Sequence, residues 1–278
     1  MSTVSPASRD SSTIQVIAHR GSSEDAPEHT LSAYRRALDD GADALECDVR
    51  LTRDGHLVCV HDRRVDRTSN GRGVLSTLEL ADLTALDFGS WRETWEDFED
   101  PEVPDRDRAE ILTLRRLLET VADHERHVEI AIETKHPTRY AGLVERRLVD
   151  LIGHFGWAHP RLGATSPVRV MSFSQLSLRR MRVLAPSVET VFLMERVPLR
   201  FRDGMLPPGV RIAGPSIEVL RAHPRYVERV QRRGNALHVW TVDRAEDIAL
   251  CRELGVDAII TNRPRRVLDA LGRGRAGG

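Results

Sequence analysis

The chain has 278 residues, of which 40% are hydrophobic and 30% are charged, and its net charge is -1 at pH 7. This composition is typical of a globular protein, and the charge balance excludes the basic field that recruits nucleic acid or an anionic membrane. The length suffices for one (β/α) barrel, which typically needs about 250 residues. Three cysteines lie in apolar segments without zinc-ligand spacing, which predicts buried, reduced thiols.

Both ends of the chain are expected to lie outside the folded unit, which is predicted over residues 14–268. Residues 1–13 are rich in Ser and Thr and lack the apolar region of a signal peptide, so we expect a disordered tail. Residues 269–278 are glycine-rich and are expected to form a flexible tail. No run of about 18 apolar residues occurs, so we expect no membrane insertion and a cytoplasmic location.

Short β-rich runs alternate with helical patterns along the chain. Eight runs predict strands: Gln15–Ala18, Ala44–Asp48, Val128–Glu133, Arg169–Phe173, Thr190–Met194, Val210–Ala213, Leu237–Val242 and Ala258–Thr261. The segments between them predict helices: Thr30–Asp39, Leu114–Asp123, Tyr140–Phe155, Leu176–Leu184, His223–Arg232 and Ala245–Leu254. Regular alternation indicates parallel β/α units, and eight strands favour a closed α/β barrel of the (β/α)8 TIM type over an open sheet.

One interval interrupts the alternation of strands and helices. Residues 63–127 separate the second predicted unit from the strand at Val128, and four aromatic residues fall in one short window: Phe88, Trp91, Trp95 and Phe98. Loops on a rigid scaffold commonly carry substrate contacts, so we interpret this segment as an insertion over the barrel mouth. A small satellite core is the alternative interpretation.

Polar clusters follow the apolar runs, where the strands of a barrel meet at its mouth. They are His19-Arg20-Gly21, Glu46-Cys47-Asp48, His61-Asp62 and Glu133-Thr134-Lys135. Because successive side chains of a strand point to opposite faces, Glu46 and Asp48 share a face, as do Glu133 and Lys135. The clusters therefore predict a site that contains carboxylates, histidines and cations.

Three carboxylates at one point cannot all ionise unaided, and a bound cation resolves the conflict. Oxygen ligands from Glu46, Asp48 and Glu133 favour Mg²⁺ or Ca²⁺, whereas Mn²⁺ or Zn²⁺ becomes possible if His19 or His61 also ligates. The alternative is that a carboxylate pairs with a nearby cationic side chain, Arg20 or Lys135, and that no metal binds.

The remaining polar residues suit acid–base chemistry on an anion. His19 and His61 titrate near neutrality, and Arg20 can bind a phosphate through two nitrogens. Lys135 is the only lysine among 41 basic residues, which indicates a position where the guanidinium fork does not fit. Hydrolysis of a phosphodiester needs more than the roughly 10²–10⁴-fold of acid–base catalysis, and a metal with fixed cations could supply the rest.

From Ile17 to Pro264 the chain resembles the glycerophosphodiester phosphodiesterase family. The resemblance rests on the clusters above and on Pro27-Glu28-His29-Thr30, Asp54-Gly55 and Trp240-Thr241-Val242, in this order. It implies a TIM-type barrel that hydrolyses small glycerophosphodiesters, such as glycerophosphocholine or glycerophosphoethanolamine, to glycerol 3-phosphate and an alcohol. It also implies His19 and His61 as the acid–base pair, a divalent cation on Glu46, Asp48 and Glu133, and substrate contacts from Arg20, Lys135 and Trp240.

Two residues depart from the family pattern, because His29 and Asp243 stand where the family usually has asparagine. Two other functions are compatible with the same fold. A sphingomyelinase D-like phospholipase is disfavoured because those barrels are typically secreted and carry disulfides. A non-catalytic barrel that binds a phosphorylated metabolite is disfavoured because no core acid, base or ligand is missing. We expect a small-molecule phosphodiester as the partner, no nucleic acid, and a monomer or homodimer.

Overall fold

The computed structural model describes residues 14–92, 109–136 and 142–274. Within these residues lie nine strands: β1 (Gln15–His19), β2 (Ala44–Leu51), β3 (Leu57–Cys59), β4 (Glu129–Thr134), β5 (Val168–Ser172), β6 (Glu189–Met194), β7 (Ile212–Pro215), β8 (Ala236–Val239) and β9 (Ala258–Thr261). All except β3 run parallel, and β1 closes the barrel by pairing with both β2 and β9. The predicted (β/α)8 barrel of eight parallel strands is therefore confirmed.

The helices of the described residues surround this barrel. They are α1 (Leu31–Asp40), α2 (Leu80–Thr84), α3 (Leu114–Ala122), α4 (Leu143–His154), α5 (Gln175–Leu184), α6 (Ile217–Ala222), α7 (Arg225–Arg232), α8 (Ala245–Leu254) and α9 (Pro264–Ala270). The predicted helix at His223 begins two residues later, after α6 has ended at Ala222. Pro224 explains the break, since the residue before a proline is disfavoured in helical conformation and His223 has φ -141°.

The apolar run before His61 was expected to form a strand, and it forms the ninth strand, β3, which was not among the eight predicted barrel strands. This strand carries His61 to the barrel. A tight turn at Asp54-Gly55 follows β2, and β3 then pairs antiparallel with the end of β2. The Val60 backbone N–H donates to the Asp48 carbonyl at 3.0 Å. His61 consequently returns to the level of the carboxylates on β2, although it does not follow a barrel strand.

The described residues form four hydrophobic clusters. Two lie between strands and helices, a third fills the barrel interior, and a fourth gathers residues from 58 to 111. Within the predicted insertion, Phe88 is buried in the fourth cluster and Trp91 is 37% exposed, whereas Trp95 and Phe98 lie outside the described residues. Helix α3, also within that range, packs in the first cluster with the barrel strands.

The three cysteines are buried free thiols, as predicted, and are Cys47, Cys59 and Cys251. No helix in the described part of the chain is both long and apolar enough to cross a membrane.

Candidate active site

Parallel pairing places the acidic residues of β2 and β4 side by side. His19 on β1 is level with Glu46 on β2, and Asp48 is level with Glu133 on β4. Ligand oxygens of the three carboxylates lie within 4.8 Å of one another, and all three side chains are buried. The structure thus brings together the three residues that alternation along the strands placed on one face.

Their pKa values show the electrostatic cost of this arrangement. Burial, followed by the charge of Asp48, raises the pKa of Glu46 well above its usual range and raises that of Glu133 to about 8. Burial also opposes ionisation of Asp48, but a hydrogen bond from His29 and the charge of Lys135 hold its pKa well below its usual range. Positive charge is therefore needed before all three carboxylates ionise together.

Two cationic side chains already contact the cluster. Lys135 Nζ lies 3.1 Å from Asp48 Oδ1 and 2.9 Å from Glu133 Oε1. Arg20 Nε lies 3.0 Å from Asp48 Oδ2, without the angle of a hydrogen bond. These are the pairs that the metal-free alternative anticipated, and they place both cations beside the carboxylates.

The donor set nevertheless fits a hard divalent cation. Asp48 Oδ1 is buried and, apart from its ion pair with Lys135, makes no hydrogen bond within the described residues. A buried carboxylate oxygen beside two further carboxylates is a suitable ligand for such an ion. Glu46, Asp48 and Glu133 are the residues that would hold it.

His19 is held in one tautomer by Asn262. Its Nδ1 lies 2.7 Å from Asn262 Oδ1, and Asn262 Nδ2 donates to Asp243 Oδ2 at 2.7 Å, which fixes the orientation of the amide. An amide oxygen only accepts, so His19 Nδ1 carries the proton and Nε2, 3.9 Å from Glu46 Oε2, has a free lone pair. Burial and the charge of Arg20 lower the pKa of His19 to about 3, so its imidazole is neutral.

His61 has a different partner. Its Nδ1 lies 2.7 Å from Asp62 Oδ1, and Arg50 donates through Nε and Nη2 to the His61 carbonyl at 2.9 and 2.7 Å. Burial lowers the pKa of His61, as do the charges of Arg20 and Lys135, while the charge of Asp48 and the hydrogen bond with Asp62 oppose that shift. A carboxylate partner favours an imidazolium more than a neutral amide does, so His61 is better suited than His19 to donate a proton.

The two departures from the family pattern both contact the site. His29 Nε2 lies 3.0 Å from Asp48 Oδ2, and its Nδ1 lies 2.8 Å from the Tyr34 hydroxyl. Asp243 accepts hydrogen bonds from Asn262 and thereby orients the partner of His19. Each residue therefore supports a site residue through a hydrogen bond.

Trp240 lies apart from the carboxylates. Its Nε1 donates to the Gly214 carbonyl at 2.7 Å, and its ring meets Phe173 edge-to-face at 5.5 Å between centroids. Trp240 follows β8 and Gly214 lies on β7, across the barrel from β2, whereas Phe173 follows β5, which pairs with β4. Trp240 thus belongs to the opposite wall of the barrel mouth.

The sequence analysis did not identify several residues that lie around the histidines. Asn262 follows the last strand, which is the same signal that selected His19. Arg50 shares a face of β2 with Glu46 and Asp48, so the strand alternation already indicated it. No sequence pattern indicated Arg67, because it lies in an irregular segment. Only the fold brings it to Glu28 and Asp62.

Buried carboxylates, two histidines and two cations at the mouth of a parallel barrel are groups that can act on an anionic ester. Residues 19–266 match the glycerophosphoryl diester phosphodiesterase family, and the chain belongs to that family. It is therefore an enzyme of the phosphodiesterase class.

Individual relatives agree with this assignment. Mycobacterium tuberculosis "Probable glycerophosphodiester phosphodiesterase 1" is 46% identical over 95% of this chain and 94% of its own length. A Caldanaerobacter subterraneus glycerophosphodiester phosphodiesterase is 33% identical over 93% of this chain and 98% of its own. The fold is similar to an Oleispira antarctica phosphodiesterase solved with sn-glycerol-3-phosphate, with a TM-score of 0.79 and 23% identity over 94% of this chain and 98% of that one.

Proposed function

We propose that this enzyme hydrolyses glycerophosphodiesters such as glycerophosphocholine to glycerol 3-phosphate and an alcohol, and that the reaction depends on a divalent cation. The observation that carries the proposal is the contrast between two histidines beside one carboxylate cluster. His19 Nδ1 binds an amide oxygen, and His61 Nδ1 binds a carboxylate. One imidazole is thereby prepared to accept a proton and the other to donate one.

In this mechanism His19 Nε2 removes a proton from the attacking water or from a substrate hydroxyl. His61 gives a proton to the oxygen of the leaving alcohol, and its side chain is 35% exposed, so an alcohol can depart toward solvent. Arg20 and Lys135 supply positive charge to the phosphate at the edge of the cluster. Trp240 lines the far wall of the mouth against the organic part of the diester.

Glu46, Asp48 and Glu133 would hold the divalent cation. When bound, such an ion neutralises phosphate charge and stabilises the charge that develops on the reacting oxygens. With all ligands being oxygens, we propose Mg²⁺ or Ca²⁺ as the ion, with Mn²⁺ or Zn²⁺ as further possibilities if a histidine joins.

Release of glycerol 3-phosphate from glycerophosphocholine tests this function. We expect release to stop when EDTA removes the cation and to return when Mg²⁺, Ca²⁺ or Mn²⁺ is added. Glu133→Gln should lower release by about 100-fold or more, since it removes one charged ligand. Glu119→Gln, on the exposed surface of α3, is the matched control and should have no effect.

Each outcome has a defined meaning. Release that persists in EDTA at the same rate would contradict the metal dependence. No release with any of the ions would contradict the proposed substrate class, provided that a thermal melt shows the protein to be folded.

A further inference from the structure

A chain of ion pairs runs between the two halves of the site. Arg67 Nη2 and Nη1 donate to Glu28 Oε1 and Oε2 at 2.7 and 2.9 Å, and Arg67 Nε donates to Asp62 Oδ2 at 2.6 Å. Asp62 Oδ1 in turn lies 2.7 Å from His61 Nδ1. On the other side, Glu28 Oε1 also accepts from Arg20 Nη1 at 3.0 Å. A single guanidinium therefore holds both carboxylates.

The geometry of Arg67 suits this task. Its two Nη atoms form the bidentate fork that carboxylates accept, which leaves Nε for a second carboxylate. Asp62 is 30% exposed, so without this contact water could solvate it and its carboxylate could rotate. With Oδ2 held by Arg67, Oδ1 faces the imidazole of His61. Arg50 meanwhile holds the His61 backbone, so both ends of this residue are fixed.

We infer that Arg67 is a positioning residue for the proton donor His61, which it orients through Asp62. This inference rests on the proposed function, in which His61 protonates the leaving alcohol. It assigns to the segment after β3 a part in catalysis, because Arg67 is supplied from that segment while Glu28 comes from the connection between β1 and α1.

The simpler explanation is that Arg67 only attaches its segment to the barrel. Arg92 provides a direct comparison. It attaches its segment to the connection between β1 and α1, and none of its hydrogen bonds within the described residues is to His61 or Asp62. Its Nη1 donates to the Ala26 carbonyl at 2.9 Å, and it also donates to the carbonyls of Ser23 and Glu24. Arg64, whose Nη2 lies 3.0 Å from Asp66 Oδ1 on the exposed surface, is a neutral control from the same segment.

The test compares two substrates of different leaving group. Glycerophosphocholine needs a proton on its departing alcohol, whereas an aryl ester, glycerophospho-p-nitrophenol, does not. For Arg67→Ala we expect kcat to fall by about 10–100-fold on glycerophosphocholine, a part of the contribution of a general acid, with at most a small change in kcat on the aryl ester. Any change in KM that is transmitted through Glu28 and Arg20 should be equal for the two substrates. Arg67→Lys should show the same split, because an ammonium cannot form the fork.

Further variants test whether Arg67 acts through Asp62. Adding Arg67→Ala to Asp62→Asn should lower kcat no further than Asp62→Asn alone, since residues that act in one path are not additive. Arg92→Ala and Arg64→Ala should show no dependence on the leaving group. A thermal melt of each variant shows that it is folded.

His61→Ala separates failure of the inference from failure of the proposed function. We expect it to abolish turnover of glycerophosphocholine and to retain activity on the aryl ester. If it loses both activities equally, the proton-donor role proposed for His61 is wrong, and the inference falls with it. If His61→Ala shows the split but Arg67→Ala does not, or Arg92→Ala matches Arg67→Ala, Arg67 only attaches its segment and the inference alone is overturned.

Discussion

The side chain of Lys135 lies between two carboxylates, where a larger cation would disturb both. Its ammonium is within 3.1 Å of Asp48 and 2.9 Å of Glu133, and only 11% of the side chain is exposed. A guanidinium is planar and wider, and it directs its donors along fixed axes. The use of lysine at this one position therefore has a steric basis.

We expect Lys135→Arg to lower kcat/KM by about 10-fold or more although it keeps the charge, because the fork displaces the carboxylates from their positions. The measurement is glycerol 3-phosphate release, with a thermal melt to show that the protein is folded. Arg232→Lys, at an exposed ion pair with Glu228 on α7, is the control for exchange between the two cations. Activity equal to that of the unmodified enzyme in Lys135→Arg would contradict the steric argument.

Other residues show what sequence reasoning could reach at this scale. The carboxylates and His19 lie on barrel strands, so alternation and strand ends were sufficient to bring them together in the prediction. The tautomer of His19 was not predictable, because it depends on Asn262 and Asp243, whose amide and carboxylate meet only in the folded barrel. Likewise, the pairing of Arg67 with two carboxylates depends on loops that no periodic pattern describes.

At the scale of elements, long periodic segments were predicted well and short ones were not. Helix α8 has its predicted bounds, and Gly255, which follows it, is in the left-handed conformation with φ 63°. Helices α2, α6 and α9 have at most seven residues each, too few for a clear period. Strand β3 has three residues, and its antiparallel direction follows from the turn before it rather than from its own composition.

The connection between β1 and α1 places Arg20 and Glu28, and it depends on Gly21. This residue has φ +85°, and a Cβ built on it would lie 2.6 Å from the carbonyl carbon of Ala33 in α1. Only glycine combines this backbone conformation with so close an approach. The position of Arg20, the proposed phosphate contact, is thus coupled to the packing of the first helix.

Gly21→Ala should therefore destabilise the protein by roughly 2–5 kcal/mol, the sum of left-handed strain and overpacking. Gly156→Ala is the matched control, because Gly156 has φ +75° but no atom within 4 Å of the added Cβ. It should cost only the backbone strain of about 1–2 kcal/mol. Urea unfolding of the two variants measures the difference, and equal destabilisation would show that the contact with Ala33 has no effect.

At the scale of the whole molecule, the site brings together three carboxylates, and the folded chain alone does not neutralise their negative charge. The chain as a whole is nearly neutral, so the repulsion is local to the three buried carboxylates. In the folded protein without a bound ion, Glu133 has a pKa of about 8, above its ordinary value of 4.5. The folded state then binds more protons than the unfolded state, so its stability falls as pH rises from 4.5 toward 8. A cation that pairs with the carboxylates offsets this loss of folding stability.

We therefore expect Mg²⁺ or Ca²⁺ to raise the melting temperature more at about pH 8.5 than at about pH 5, relative to EDTA at the same pH. At the lower pH Glu133 keeps its proton, so the ion has to displace that proton and stabilises the fold less. Glu133→Gln should make the rise in melting temperature more nearly equal at the two pH values, since the amide does not titrate. Differential scanning calorimetry measures all four conditions. An equal rise at both pH values would mean that the ion stabilises the fold elsewhere than at these carboxylates.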